Sequence, residues 1–244
     1  MDAVIHTAAL HAPHVGYASD ADFERINVAA TLNLIEQAAE SGVKQLIFTS
    51  TTALYGAAST PPDKAGWIDE SIKPQPKTIY HRSKIAAENL LEAFAERHNF
   101  KVIALRISRC FPEPAPIMAS YRLHRGVDAR DVAEAHALAL ESKLPGFHRY
   151  VISSATPFHA DDTGALAHDA AAVLCRRAPE LAAEFARRSW PLPNSIDRVY
   201  CSELAGRELK WQAKYGFAEV LKMLDEGSSE VLPVGHRILT DSRD

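Results

Sequence analysis

Residues 43–56 read Val-Lys-Gln-Leu-Ile-Phe-Thr-Ser-Thr-Thr-Ala-Leu-Tyr-Gly. Val43–Ser50 is apolar with few polar interruptions, which predicts a strand of a parallel sheet covered on both faces. The run then turns polar, so the hydroxyls of Ser50, Thr51 and Thr52 fall at the strand's C-terminal end. That edge is where open α/β sheets bind ligands.

The same rhythm extends on both sides. Asp2–Thr7 is a short apolar run with β-branched residues and predicts another buried strand. The segment from Ser19 to Gly42 predicts a helix, capped by Ser19 or Asp20, with Ile26, Val28, Leu32, Ile35 and Ala39 on one face and Gly42 as its stop. Downstream, residues 55–77 read as a Pro/Gly/Ser-rich loop. A helix from about Tyr80 to His98, a strand over Lys101–Ile107, a helix over Asp131–Ser142 and a strand at Tyr150–Ser153 follow. Strand and helix in alternation mean βαβ units, because parallel neighbours need crossover helices. After about residue 155 shorter helices, the prolines around Leu192, Trp190 and Trp211 predict a smaller irregular lobe packed on the sheet.

The chain has 244 residues, 47% hydrophobic and 24% charged, with a net charge of −4. This is the composition of a globular protein with a sizeable core. Without a cluster of Lys and Arg there is no footprint for nucleic acid or an acidic membrane. Three scattered cysteines, Cys110, Cys175 and Cys201, form neither a disulfide framework nor a zinc site. They read as reduced thiols, and with no signal segment or spanning run the chain is expected in the cytoplasm. His6, His11 and His14 match no metal spacing, and Asp161-Asp162 reads as a helix cap.

Tyr80 and Lys84 stand four residues apart at the start of the second predicted helix, on one helix face. A lysine cation beside a phenol favours the phenolate, so the pair is expected to lower the tyrosine pKa and let Tyr80 exchange a proton. The strand-end hydroxyls are placed to bond the oxygen whose proton Tyr80 moves.

The chain resembles the extended short-chain dehydrogenases/reductases, specifically the NAD-dependent epimerase/dehydratase group. Six segments carry the likeness in the family's order. They are Asp-Ala-Val-Ile-His-Thr-Ala-Ala at residues 2–9, the helix beginning at Asn27, residues 43–56, Tyr80 to Lys84, Val-Asp-Ala-Arg-Asp-Val-Ala at 127–133, and Arg-Glu-Leu-Lys-Trp-Gln at 207–212. The resemblance implies a Rossmann-type doubly wound parallel sheet with a small C-terminal substrate lobe. Residues 1–155 would be a partial cofactor-binding and catalytic region, and 156–244 mostly substrate lobe. It implies NAD or NADP as cofactor and hydride transfer on a nucleotide sugar or related hydroxyl substrate. Tyr80 would be the acid/base, Lys84 would hold the nicotinamide ribose, and Thr51 would be the catalytic hydroxyl. Ala8, Ala9 and Asn27 would border the cofactor, and Thr52, Arg109 and Phe111 the substrate. The family's dimer, built from the two helices that precede and carry the Tyr-Lys pair, is compatible with a chain containing both.

Three departures shape the expectation. No Gly-x-x-Gly-x-x-Gly turn occurs, so the chain reads as N-terminally truncated, starting at the family's fourth strand and lacking roughly two to three βα units of ~30 residues. Arg109 replaces an Asn that contacts substrate in the family; it would either clamp an anionic group or pair with a nearby acid. Thr52-Ala53 stands where sugar 4,6-dehydratases carry an acidic pair, which favours an epimerase or oxidoreductase. The rival reading is a non-catalytic remnant that serves as a binding or assembly partner without tight dinucleotide binding. The strand Asp2–Thr7, lacking a neighbour, is expected to leave a sticky edge.

Overall fold

A computed structural model describes residues 2–235. Four parallel strands form the main sheet: β1 (Val4–His6), β2 (Gln45–Thr51), β4 (Lys101–Ile107) and β5 (Phe147–Ile152), in the order β1-β2-β4-β5. Between them run a helix from Asp20 to Glu40, α3 (Ile79–His98) and α5 (Ala129–Glu141). Alternation along the strands sorts side chains to two covered faces. Leu46, Phe48, Val102 and Ala104 pack against Ile35, Ala87, Leu91 and Phe94. Ile47, Ile103, Leu105, Tyr150 and Ile152 pack against Val127, Ala135, Ala139 and Trp211. Strands buried on both faces are why residues 43–50 read as nearly continuous apolar sequence. The fold is the expected Rossmann-like parallel α/β sheet.

Several boundaries differ from the sequence reading. The first strand is only three residues long, and its central Ile5 is 45% exposed. The Asp20–Glu40 helix is not uniform: α1 (Asp20–Phe23) leads into a π-helical stretch, Glu24–Ala29, before α2 (Ala30–Glu40). Its buried stripe is Phe23, Asn27, Thr31, Ile35 and Ala38; of the predicted Ile26, Val28, Leu32, Ile35 and Ala39, Ile35 lies in it and the other four are half-buried. A π turn spreads more residues over each turn and shifts the inward face. It puts Asn27 and Thr31 inward, and both have partners there. Thr31 Oγ1 donates to the Asn27 carbonyl and lies 2.9 Å from His6 Nε2.

Three elements went unforeseen. Residues 55–77 contain β3 (Gly66–Ile68), which pairs in parallel with β6 (Arg198–Tyr200) in a second, two-stranded sheet. Such short segments carry too little periodicity to read in advance. The helix α4 (Ala115–Tyr121), with Pro116 in its first turn, was masked by prolines. Ala65, Ala115, Met118, Ala119 and Leu123 share a core with Phe158, Leu166, Leu181, Phe185 and Val220. Segments on both sides of residue 155 therefore build the lobe. The Asp162 carboxylate accepts the His159 N–H and pairs with Arg176 and Arg177. No helix among the described residues is long and apolar enough to cross a membrane.

Candidate active site

The β2 strand ends in a tight turn over Thr52–Tyr55, which the Thr51 side chain caps by accepting the Ala53 N–H at 3.1 Å. Gly56 closes the turn at φ 55°, where a Cβ would meet the Gln75 carbonyl oxygen at 2.0 Å. Only glycine fits there, which accounts for the Tyr-Gly pair. Thr78 starts α3 by accepting the His81 N–H. Tyr80 thus sits in the helix's first turn, facing the β2 end.

Tyr80 is buried among Phe23, Ile79 and the loop residues Leu10, Val15 and Ala18. Ala53, in the turn that Thr51 caps, packs against the same cluster, which brings Tyr80 beside the Thr51 strand end. Lys84 is 3% exposed, but it reaches elsewhere: its Nζ donates to the Thr49 carbonyl at 2.7 Å and stands 3.9 Å from the centre of the Phe48 ring. This corrects the expected electrostatics. Burial raises the Tyr80 pKa, opposed by the Thr51 side chain, and Lys84 is not among the causes. Burial instead drives the Lys84 amine down to about 7, with the Glu88 carboxylate acting against it. A phenol in a dry pocket without a cation in contact stays protonated.

Sequence reasoning missed what lies behind this pair. Glu88, one turn beyond Lys84, is 2% exposed and holds Arg106 of β4, itself 3% exposed, at 2.6 Å. Ser50 donates to the same carboxylate at 2.5 Å, and Arg106 donates to the Tyr55 hydroxyl, which donates to the Asp69 carbonyl. The readable signal was Tyr80, Lys84 and Glu88 at successive four-residue steps, all on the buried face of one helix.

The other proposed residues fall around the same sheet edge. Ala8 is exposed and Ala9 half-buried in the segment leaving β1. Asn27 receives the Leu10 N–H at 2.7 Å and donates to the Leu10 carbonyl and to Ser83 of α3, clamping that segment to the helix. Thr52 is buried. Arg109 pairs with Glu113 and lies near the Phe111 and Tyr121 rings, so an acid takes part of its charge; Phe111 is 54% exposed. His11 and His14 contact each other, the His14 ring accepting the His11 N–H. Among the described residues no cluster of three ligating side chains could hold a metal.

Residues 1–115 match the NAD dependent epimerase/dehydratase family. Over 111 residues the chain is 33% identical to dTDP-D-glucose 4,6-dehydratase of Mus musculus, a stretch covering 46% of this chain and 30% of that protein. Over 107 residues it is 33% identical to UDP-glucose 4-epimerase of Erwinia amylovora, covering 43% and 31%. The matched stretches thus span about a third of these relatives. Among solved structures, RMD from Pseudomonas aeruginosa complexed with NADPH superposes with a TM-score of 0.64 at 20% identity, over 93% of this chain and 82% of that one. UDP-glucose-4-epimerase from Stenotrophomonas maltophila, with bound NAD and formylated UDP-arabinopyranose, gives 0.64 at 19% identity, over 91% and 74%. At these identities the structural likeness establishes the fold.

Proposed function

We propose that the chain carries the catalytic half of an NAD(P)-dependent epimerase or oxidoreductase acting on a nucleotide sugar or a related hydroxyl substrate. The observation that carries this reading is the buried Tyr80 packed against the turn that Thr51 caps at the C-terminal edge of β2, with buried Lys84 one helical turn on. The nicotinamide end of the cofactor fits the residues present: a phenol, a hydroxyl and a lysine at one sheet edge, beside the backbone of Ala8 and Ala9. The pyrophosphate end has no glycine cradle in the 244 residues. When bound, the dinucleotide supplies the hydride acceptor.

In this reading the protonated Tyr80 hydroxyl gives a proton to, or as phenolate takes one from, the substrate oxygen, and Thr51 orients that oxygen by hydrogen bonding. Lys84, which donates to the Thr49 carbonyl, would hold the ribose hydroxyls of a bound dinucleotide, and its charge would then favour the phenolate. Asn27 keeps the segment leaving β1 pressed against α3. Thr52, Phe111 and the Glu113-held Arg109 border the substrate. Thr52-Ala53 offers no carboxyl for eliminating water, so epimerisation or oxidation is preferred over dehydration despite the likeness to a dehydratase.

The test is incubation with NAD or NADP and a panel of UDP- and dTDP-sugars, reading epimerised product by NMR and reduced nicotinamide by absorbance, with Tyr80→Phe as control. Turnover that is lost in the variant supports the reading. Equal activity in both, or no dinucleotide binding by calorimetry, would overturn it, and the second result would favour the non-catalytic rival.

A further inference from the structure

Asn27 and Thr31 are the two polar side chains that the helix from Asp20 to Glu40 buries, at 1% and 0% exposed. Chemistry fixes the direction of their hydrogen bonds. The Leu10 N–H can only donate, so the Asn27 amide oxygen faces it at 2.7 Å. The Asn27 amide nitrogen then donates to the Leu10 carbonyl at 2.8 Å and to Ser83 Oγ at 2.9 Å. Ser83 in turn donates its proton to the Tyr80 carbonyl, 2.9 Å away. Thr31 has a single proton as well. Its hydroxyl stands 2.8 Å from the Asn27 carbonyl, and two oxygens that close need a proton between them, which a carbonyl does not have. Thr31 therefore donates to Asn27, and His6 Nε2, 2.9 Å from the same hydroxyl, must donate to Thr31. His6 is 8% exposed. Burial first, and the Lys84 charge second, lower its pKa, so near neutrality the ring is uncharged and its one proton sits on Nε2.

We infer that His6 and Thr31 are positioning residues, which fix the π turn around Asn27 through a one-way chain of donors and, through Asn27 and Ser83, hold the segment leaving β1 and the first turn of α3 in one mutual geometry. The chain begins on β1, crosses the π turn and ends on the backbone of Tyr80. The apolar contacts of Tyr80 with Phe23, Ile79, Leu10 and Val15 bring the same segments together, but such contacts are non-directional. The hydrogen bonds set the register. The inference rests on the catalytic reading of Tyr80, and part of what it predicts is visible without turnover.

The experiment labels histidine with 15N in the full chain and identifies His6 by the NMR signal that His6→Gln removes. The wild type should show a neutral ring with its proton held on Nε2. Thr31→Val keeps the shape of the side chain and removes the hydroxyl. In it the His6 proton should spread over both ring nitrogens. The Leu10 amide should exchange with solvent ~5–10-fold faster, the effect of one net hydrogen bond lost. Turnover should fall about tenfold in kcat, with KM for the sugar nucleotide unchanged, as for a misplaced proton-moving group. Thr31→Ser restores the hydroxyl with less bulk and should return all three readouts toward wild type. If Thr31 only fills space, the order reverses, with valine harmless and serine the poorer replacement. That result overturns the proposal, as does a wild-type His6 with its proton on Nδ1 or spread over both nitrogens, a measurement that needs no folded variant. Failure of Thr31→Val to fold also overturns it, because the hydroxyl would then serve stability before position. If the tautomer and exchange effects appear while the wild type is silent in the sugar-nucleotide assay, the positioning chain holds and the functional reading alone fails.

Discussion

The two sides of the candidate site are built by opposite means. On the side of Thr51, Tyr80 and Lys84, every polar group sits on a strand end or a long helix, and the charges are sealed from water. On the side of Arg109 and Phe111, a segment between β4 and α4 presents a half-exposed ring and an arginine whose side chain is 21% exposed, leaning on a buried Glu113. The first arrangement fixes distances and protonation states, as a proton-moving group requires. The second, nearer to water, tolerates replacement more readily. The contrast matches the sequence, which keeps the Tyr80–Lys84 pattern and carries Arg109 where an Asn is expected.

The contrast is sharpest in turnover. Tyr80→Phe is expected to lower kcat by ~10²–10⁴-fold with cofactor affinity nearly unchanged; rates within a few-fold of wild type would show that another group moves the proton. In stability, Arg106→Leu should cost ~3–5 kcal/mol in urea unfolding, because it leaves Glu88 buried and unpaired. A loss below about 1 kcal/mol would mean the sealed side is looser than its geometry. Arg109→Asn should cost less, on the order of 1–3 kcal/mol, since the arginine of the Arg109–Glu113 pair is already partly in water, its side chain 21% exposed.

A pH experiment probes the lobe behind the open side. His124 is fully buried, its Nδ1 2.9 Å from the Arg198 carbonyl oxygen, and burial followed by the Arg125 charge lowers its pKa to about 3. As pH falls below the ordinary histidine value of 6.5, the unfolded chain binds a proton that the folded chain refuses. Stability should therefore fall between pH 6.5 and about 3, with His124 contributing up to ~1.4 kcal/mol per pH unit. His124→Gln should flatten that slope in urea titrations at pH 7 and pH 5; an unchanged slope would place the acid sensitivity in other groups. The smallest effect belongs to Phe111→Ala. It should alter stability by no more than about 0.5 kcal/mol while raising KM for the sugar nucleotide several-fold, and an unaltered KM would remove Phe111 from the substrate surface.

How much of this was legible follows from the range of each interaction. The parallel sheet could be read because Val43–Ser50 and Lys101–Ile107 are buried on both faces and must be apolar throughout. The Tyr80–Lys84 face could be read because a helix repeats locally. The Lys84–Thr49 contact could not, since nothing in the spacing of α3 says which carbonyl of a neighbouring strand its amine will reach. Nor could the Glu88–Arg106 pair, whose partners are 18 residues apart on different elements. The electrostatic reading of Tyr80 failed for a related reason: sequence shows which charges are near in the chain, but not how far water is excluded around them.

The π turn at Glu24–Ala29 has a consequence for how this helix can change. An α-helix advances ~100° per residue, so a turn holding extra chain offsets everything before it from everything after it. Phe23 and Asn27 keep one rotational phase, set by the loop around Leu10, while Ile35 and Ala38 keep another, set by the sheet. Deleting a single residue in the turn would bring the two into step, and one set of contacts would point the wrong way. The helix therefore behaves as two angular settings joined by a mechanical offset, and the composition of its faces can drift more freely than its length.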